Sequence, residues 1–264
     1  MAAGPLATGP YTRAQLLATI DHSVLQPQLT TAEARSAILL GRAHGAASCC
    51  VRPCDVALAA ELLAGCPTRV CTVIGFPHGS VSTACKAGEA AAALAAGAVE
   101  LDMVANVGRL RSGDADAYVQ EDIAAVVAVA RARGAVVKVI LENAYLSDEQ
   151  KARGCRLAEA AGAHYVKTST GFAANLPSGA PAGATLPDLA LMRAACSPAV
   201  LVKAAGGVRT LDQLLAVLAA GAVRVGATAT AAIAAEFDAR AVDGLLHAPP
   251  RASEAAAGTA AAGY

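Results

Sequence analysis

The chain has 264 residues, 21 basic and 21 acidic side chains, a formal net charge of zero, and a 55% hydrophobic composition. That length suits one large domain or two small ones, and balanced charge without a long basic run argues against nucleic-acid binding, which draws on clustered Lys and Arg. No window of about 18 residues is free of polar and charged side chains, and MAAGPLATGPYTR has no basic stretch followed by an apolar core, so neither a membrane span nor a secretory signal is expected.

The opening segment, residues 1–12, is rich in Gly, Pro and Ala and reads as a flexible tail. A first strand is predicted at Ala18–His22, followed by a helix at Thr31–His44. The strand Ser48–Val51 precedes a helix at Pro53–Ala64, and Arg69–Gly75 precedes Thr83–Gly97. Next come the strand Val99–Val104 with the helix Ala115–Arg133, and the strand Val136–Leu141 with the helix Ser147–Gly162. Strands His164–Lys167 and Ala199–Ala204 lead to helices Leu186–Ala195 and Leu211–Ala220, and the last strand is Val223–Gly226. Ser147 ahead of DEQ is a helix start signal, and Gly97, Gly134, Gly162 and Gly221 are stop signals. ASEAAAGTAAAGY at the end is of low complexity, so residues 248–264 read as a second tail.

Eight strands alternating with helices imply parallel βαβ units. In one domain of this size, here residues 13–247, closure into a (β/α)8 TIM barrel of the α/β class is expected. An open doubly wound sheet would want a glycine-rich nucleotide turn after the first strand, and IDHSVLQPQ has none. The eight cysteines are scattered, with no CxxC pair and no neighbouring His cluster. They read as free thiols in a reducing cytoplasm, and no metal or other cofactor is expected.

Lysine is scarce, five against sixteen arginines, yet Lys138, Lys167 and Lys203 all sit in apolar strand-like runs. A buried ammonium costs several kcal/mol unless it is paired or gives up its proton, and a neutral lysine is a nucleophile toward carbonyls. Strand alternation puts Glu100 with Asp102 on one face, Lys167 with Tyr165 and Ser169, Lys203 with Leu201 and Ala205, and Lys138 with Glu142. One reading is a plug of ion pairs filling a barrel. The other is a catalytic set in which two neighbouring ammonium groups repel and at least one loses its proton toward neutrality. The pair titrates together, so this argument does not say which lysine is neutral. Asp102 either moves protons or neutralises a lysine.

KTSTGF, KAAGGVRT and RVGATAT follow the last three strands. Such loops bind phosphate through backbone N–H groups, which marks Thr170, Gly171, Gly206, Gly207, Gly226 and Thr228. Asp21 and His22 close the first strand and either contact substrate or join a network, a lone His there more commonly being a satisfied core histidine. Cys50 at the end of the second is either a supporting thiol near the site or inertly buried. His78 lies in a loop without metal-binding neighbours.

In IDHSVL, CCVRP, TVIGFPHG, ELDMVANVG with Lys86 upstream, VKVILENAYLSDEQK, YVKTSTGF, VKAAGGVRT and RVGATAT, the chain resembles the deoxyribose-phosphate aldolase family over residues 14–245. The resemblance implies reversible, metal-free cleavage of 2-deoxy-D-ribose 5-phosphate to D-glyceraldehyde 3-phosphate and acetaldehyde. It implies that Lys167 forms the Schiff base, that Lys203 keeps its amine free or relays protons, and that Asp102 works with a water. Lys138 is then a supporting residue, held by Glu142 or Asp102, and a cytoplasmic homodimer is expected. The pattern departs at Arg52, where Asn is usual, at Asn143, where Thr is usual, and at Thr228–Ala229 in place of paired serines. Some relatives end in a tyrosine that reaches the site, so Tyr264 is either a lid or an inert end.

Overall fold

In chain order the elements are β1 (Tyr11–Thr12), α1 (Arg13–Leu17), β2 (Ile20–Val24), α2 (Thr31–Ala43), β3 (Ser48–Val51), α3 (Val56–Leu62) and β4 (Arg69–Ile74). They continue with α4 (Thr83–Ala95), β5 (Glu100–Val104), α5 (Val107–Ser112), α6 (Asp116–Arg131), β6 (Val136–Ile140), α7 (Asp148–Ala160) and β7 (Tyr165–Lys167). The last are α8 (Leu186–Ala195), β8 (Leu201–Ala205), α9 (Leu211–Ala219), β9 (Arg224–Ala227), α10 (Thr230–Arg240) and β10 (Leu245–Leu246). This computed structural model describes residues 10–176 and 180–247, so the reading of residues 248–264, including Tyr264, falls outside it.

Strands β2 to β9 close into a barrel, each parallel to its neighbours, with β9 returning to β2. This is the expected (β/α)8 architecture, and every predicted barrel strand overlaps an observed one. Outward residues, such as Ile20, Val51, Ile74, Leu101, Met103, Val137, Val139, Val166 and Val202, join the helices in one apolar layer. Full burial of each large member contributes about 1.5–3 kcal/mol. The inward residues are mostly polar, and they make the site.

Side-chain caps explain several helix starts. Thr30 with Glu33, Ser147 with Gln150 and Thr210 with Gln213 form reciprocal capping boxes. Gly134 and Gly162, at φ 65 and 84, turn the chain out of α6 and α7 in the left-handed region that glycine tolerates.

Three helices and two short strands were not predicted. α10 has Ala229 at its N-cap and so no side-chain cap, and its alanine-rich sequence carries no start signal. α1 and α5 have only five and six residues, too few for a periodic pattern. The predicted helix Pro53–Ala64 splits into a 3-10 turn at Pro53–Asp55 and then α3, because Asp55 leaves helical geometry at φ −101, ψ 1. Tyr11–Thr12, assigned to the tail by the sequence, pairs antiparallel with Leu245–Leu246 and so joins the two ends of the described fold. None of the described helices is long and apolar enough to cross a membrane.

Candidate active site

The barrel interior holds three buried carboxylates, Asp21, Glu100 and Asp102, and four buried bases, Lys138, Lys167, Lys203 and Arg224. Asp102 is the hub. Its Oδ2 accepts from Lys167 Nζ at 2.8 Å and Lys203 Nζ at 2.7 Å. Its Oδ1 accepts from Lys138 Nζ at 2.8 Å and from the Cys71 thiol at 3.3 Å.

Strand register explains this convergence. Lys167 lies opposite Lys203 on β7 and β8, Lys203 opposite Arg224 on β9, and Asp102 opposite Lys138 on β5 and β6. Asp21 pairs with Lys203, with Arg224 Nη1 at 2.5 Å, and accepts from the Ser48 hydroxyl at 2.6 Å. Glu100 Oε2 lies 2.6 Å from Lys138 Nζ, and its Oε1 accepts from Arg224 at 3.0 Å and Arg69 at 2.9 Å.

Burial alone would raise the Asp102 pKa, but Lys138, Lys167 and Lys203 outweigh it and hold the carboxyl well below the usual range. Burial likewise works against the Lys203 ammonium. Asp102 and Asp21 together nevertheless hold its pKa above the ordinary lysine value. Repulsion between ammonium groups is therefore not the dominant influence on Lys203. Lys138 is also raised, against its burial, by Asp102, Glu100 and Asp21. It does not pair with Glu142, one of the two partners expected from the sequence. Strand alternation stops at Ile140, and Glu142 turns away at φ 59.

Lys167 differs from its neighbours. Among the described residues it has one carboxylate partner, already shared with two other lysines, whereas Lys203 has two and Lys138 three. The buried Glu142 carboxylate also feels the Lys167 charge without forming an ion pair with it.

The glycine loops border the same end of the barrel. Gly171, Gly206 and Gly207 lie at φ 86, 85 and 86. A Cβ on Gly206 would sit 2.8 Å from Gly183 Cα, so side chains are excluded where these two loops cross. Gly226 leaves open the space beside Lys203 Cε, which a Cβ there would approach to 3.7 Å. Thr228 is exposed just ahead of α10, whose first turn has no side-chain cap and so keeps backbone N–H groups uncommitted.

No family model matches the chain. Over 226 residues it is 50% identical to the deoxyribose-phosphate aldolase of Rhodospirillum rubrum, covering 86% of this chain and 91% of that one. The chain belongs to the deoxyribose-phosphate aldolase family. The family enzyme of Bacillus mycoides is 48% identical over 214 residues, which cover 81% of this chain and 92% of its own. Among solved structures, a Coccidioides immitis chain described as a deoxyribose-phosphate aldolase superposes with TM-score 0.81 at 36% identity, covering 90% of each chain. The deoxyribose phosphate aldolase of Aeropyrum pernix, reported as a tetramer, superposes with TM-score 0.77 at 28% identity, covering 86% of this chain and 92% of its own.

Against this aldolase-family background the remaining sequence candidates separate. Asp21 is part of the buried network. His22 faces outward, where its Nδ1 meets the Thr230 hydroxyl at 2.8 Å, as a satisfied core histidine does. Burial, with a smaller contribution from His44, pulls its pKa down from 6.5 to about 4. The folded state therefore refuses a proton that the unfolded chain accepts. Above pH 6.5 this term costs nothing, and stability falls as pH drops from 6.5 toward 4. Between pH 7.5 and 5 the loss is expected to be about 2 kcal/mol. Urea unfolding of wild type and His22→Gln at both pH values checks it, since the variant lacks this part of the pH dependence.

Cys50 is buried beside the hub, and the neighbouring Cys71 side chain draws its thiol pKa down against its burial. Arg52, where the family usually has Asn, clasps the β2–α2 loop, donating to Asp55 at 2.7 Å and to the Leu29 carbonyl at 2.9 Å. Asn143 is buried against Met192 Sδ, away from the lysines. His78 belongs to no metal-binding cluster among the described residues.

Two members of the site, Arg224 and Cys71, were not picked from the sequence, and Glu142, offered there as a partner of Lys138, has a different one. Arg224 bridges Asp21 and Glu100, and its signal was its two-residue spacing from Gly226 on one strand. Cys71 had the same parity signal through its pairing with Glu100 on β5. Glu142 accepts the Thr170 hydroxyl, and the Thr170 N–H lies 3.2 Å from both of its oxygens. Thr170 Oγ1 in turn accepts from Phe172 N–H at 2.9 Å, which fixes the turn at Gly171. Burial raises the Glu142 pKa, although its bonds to Thr170 oppose the rise. Glu142→Gln replaces one acceptor oxygen by a donor and is expected to cost about 1.5–3 kcal/mol of stability, read from thermal or urea unfolding.

Proposed function

We propose that the chain is a class I, Schiff-base aldolase that reversibly cleaves 2-deoxy-D-ribose 5-phosphate to D-glyceraldehyde 3-phosphate and acetaldehyde. The observation that carries this reading is the Lys167 amine, with the least carboxylate support in the barrel, set 2.8 Å from an Asp102 oxygen that also holds Lys203. Lys167 is assigned as the nucleophile because it has the fewest carboxylate partners among the described lysines of the barrel and stands in the YVKTSTGF motif.

Lys167 Nζ attacks C1 of the open-chain sugar, and loss of water gives the iminium. Removal of the C3 hydroxyl proton forms the C3 carbonyl and breaks the C2–C3 bond, whose electrons flow into the iminium to give an enamine. D-glyceraldehyde 3-phosphate leaves. Protonation at C2 and hydrolysis then release acetaldehyde and the amine. Asp102, kept ionised by its lysines, passes protons through a water rather than storing them, and Lys203 supplies the fixed positive charge beside the reacting carbon. The phosphate is assigned to Gly206, Gly207, Gly226, Thr228 and the uncapped start of α10, with Thr170 and Gly171 closing that side. Phosphate bound there holds C1 toward Lys167.

Residues 13–247 are proposed as the aldolase domain, working in the cytoplasm as a homodimer. The tetrameric Aeropyrum pernix relative is a precedent for assembly, and light scattering on the purified chain decides the number. The chemistry is tested by borohydride reduction in the presence of acetaldehyde, followed by intact mass and peptide mapping. A two-carbon adduct on Lys167 is the expected result. An adduct formed only with larger ketones would assign a different donor, and no adduct with any aldehyde or ketone would reject the Schiff base.

A further inference from the structure

Two thiols lie beside the proposed catalytic groups, and the cleavage steps use neither. Cys50 on β3 and Cys71 on β4 are direct partners in the parallel register. Both are free, both are buried, and both belong to a small apolar cluster with Leu25 and Val73, covered by Phe76 and Phe172. Their two Sγ atoms and an Asp102 carboxylate oxygen all lie within 4.8 Å of one another. Cys71 Sγ also receives Lys138 Nζ at 3.4 Å while donating to Asp102 at 3.3 Å. Paired strands run about 4.8 Å apart, within the Cα separation of roughly 4.4–6.8 Å that a disulfide spans.

We propose that Cys50 and Cys71 form a reversible disulfide on exposure to a peroxide, and that this bridge switches the aldolase off. Cys50 reacts first, because it keeps 2% of its surface exposed while Cys71 keeps none. Its thiolate sulfur attacks one peroxide oxygen, the O–O bond breaks, and the departing hydroxide takes the thiol proton as water, leaving a sulfenic acid. Cys71 sulfur then attacks Cys50 sulfur, the S–O bond breaks, and the hydroxide leaves with the Cys71 proton as a second water. Two thiols lose two hydrogens in all, and one peroxide is reduced to two waters. The bridge withdraws the S–H that Asp102 accepts and the sulfur that Lys138 touches, so it disturbs the carboxylate that the lysines share. The loss of activity rests on the proposed role of Asp102. The formation of the bridge does not.

The test is to treat the intact chain with hydrogen peroxide and read intact mass, peptide map and cleavage of deoxyribose 5-phosphate, before and after dithiothreitol. The expected result is loss of two hydrogens, a Cys50–Cys71 cross-linked peptide, and a fall in activity of roughly tenfold or more that the reductant reverses. In Cys71→Ala, compared with its own untreated activity, Cys50 has no partner. It should advance to the sulfinic acid, and the loss should resist dithiothreitol. A bridge elsewhere, such as Cys155–Cys196, or a Cys50–Cys71 bridge with full activity, would overturn the proposal. An untreated chain without aldolase activity rejects the proposed function instead, and the cross-link stays readable by mass.

Discussion

Lys167→Met is expected to lower cleavage of deoxyribose 5-phosphate by roughly 10⁵-fold or more, because it removes the amine proposed to form the Schiff base. The same variant should give no borohydride-trapped adduct with acetaldehyde. Its fold should survive. Met fills much of the volume of the lysine stem, and Asp102 keeps Lys138, Lys203 and the Cys71 thiol as partners. The melting temperature should therefore stay close to that of the wild type. A coupled assay for glyceraldehyde 3-phosphate, intact mass and a thermal melt measure the three quantities. Residual turnover near wild type, or an adduct elsewhere in the chain, would sink the assignment of the nucleophile.

Asp102→Asn should fail in two ways. The amide removes the carboxylate charge that Lys138, Lys167 and Lys203 share, and it places a donor against Lys203, whose ammonium has no lone pair to offer. The expected cost is about 3–5 kcal/mol in urea unfolding. Turnover should fall by roughly 10²- to 10⁴-fold, since proton transfer to and from the reacting oxygens and carbon loses its carrier. Combining it with Lys203→Met should recover part of the stability and none of the turnover, because the two groups share a contact and do not act independently. If Asp102→Asn is as stable as wild type, the carboxylate is not the hub that the four contacts to it describe.

Some features were legible in one dimension because each rests on local periodicity. Alternation in VELDMV put Glu100 and Asp102 on one face, and both point inward in the barrel. The same rule held for Lys167 and Lys203, which lie side by side in register. It failed at Glu142. Alternation is a property of extended backbone, and the chain leaves that geometry after Ile140. The sequence therefore offered Lys138 either Glu142 or Asp102, and its partners are Asp102, Glu100 and Asp21. α10 was missed for a related reason, since Ala229 offers no capping side chain to mark its start.

The sequence by itself determined the barrel, the order of its strands, the lysines that have no solvent to reach and the glycine turns that follow the last three strands. These depend on residue spacing within a few turns or one strand, and hydrophobic periodicity carries that information. Only the tertiary structure decided which charges meet. Asp21 and Lys203 stand 182 positions apart, and Arg224 and Asp21 stand 203 apart. β9 closes on β2, and that closure makes them neighbours. Charge interactions at a few ångströms set the state of each buried base, so the sequence could name the lysines but not say which one is left with the fewest carboxylates. Barrel closure brings Asp21 and Arg224 to the lysines and leaves Lys167 with Asp102 as its one carboxylate partner among the described residues.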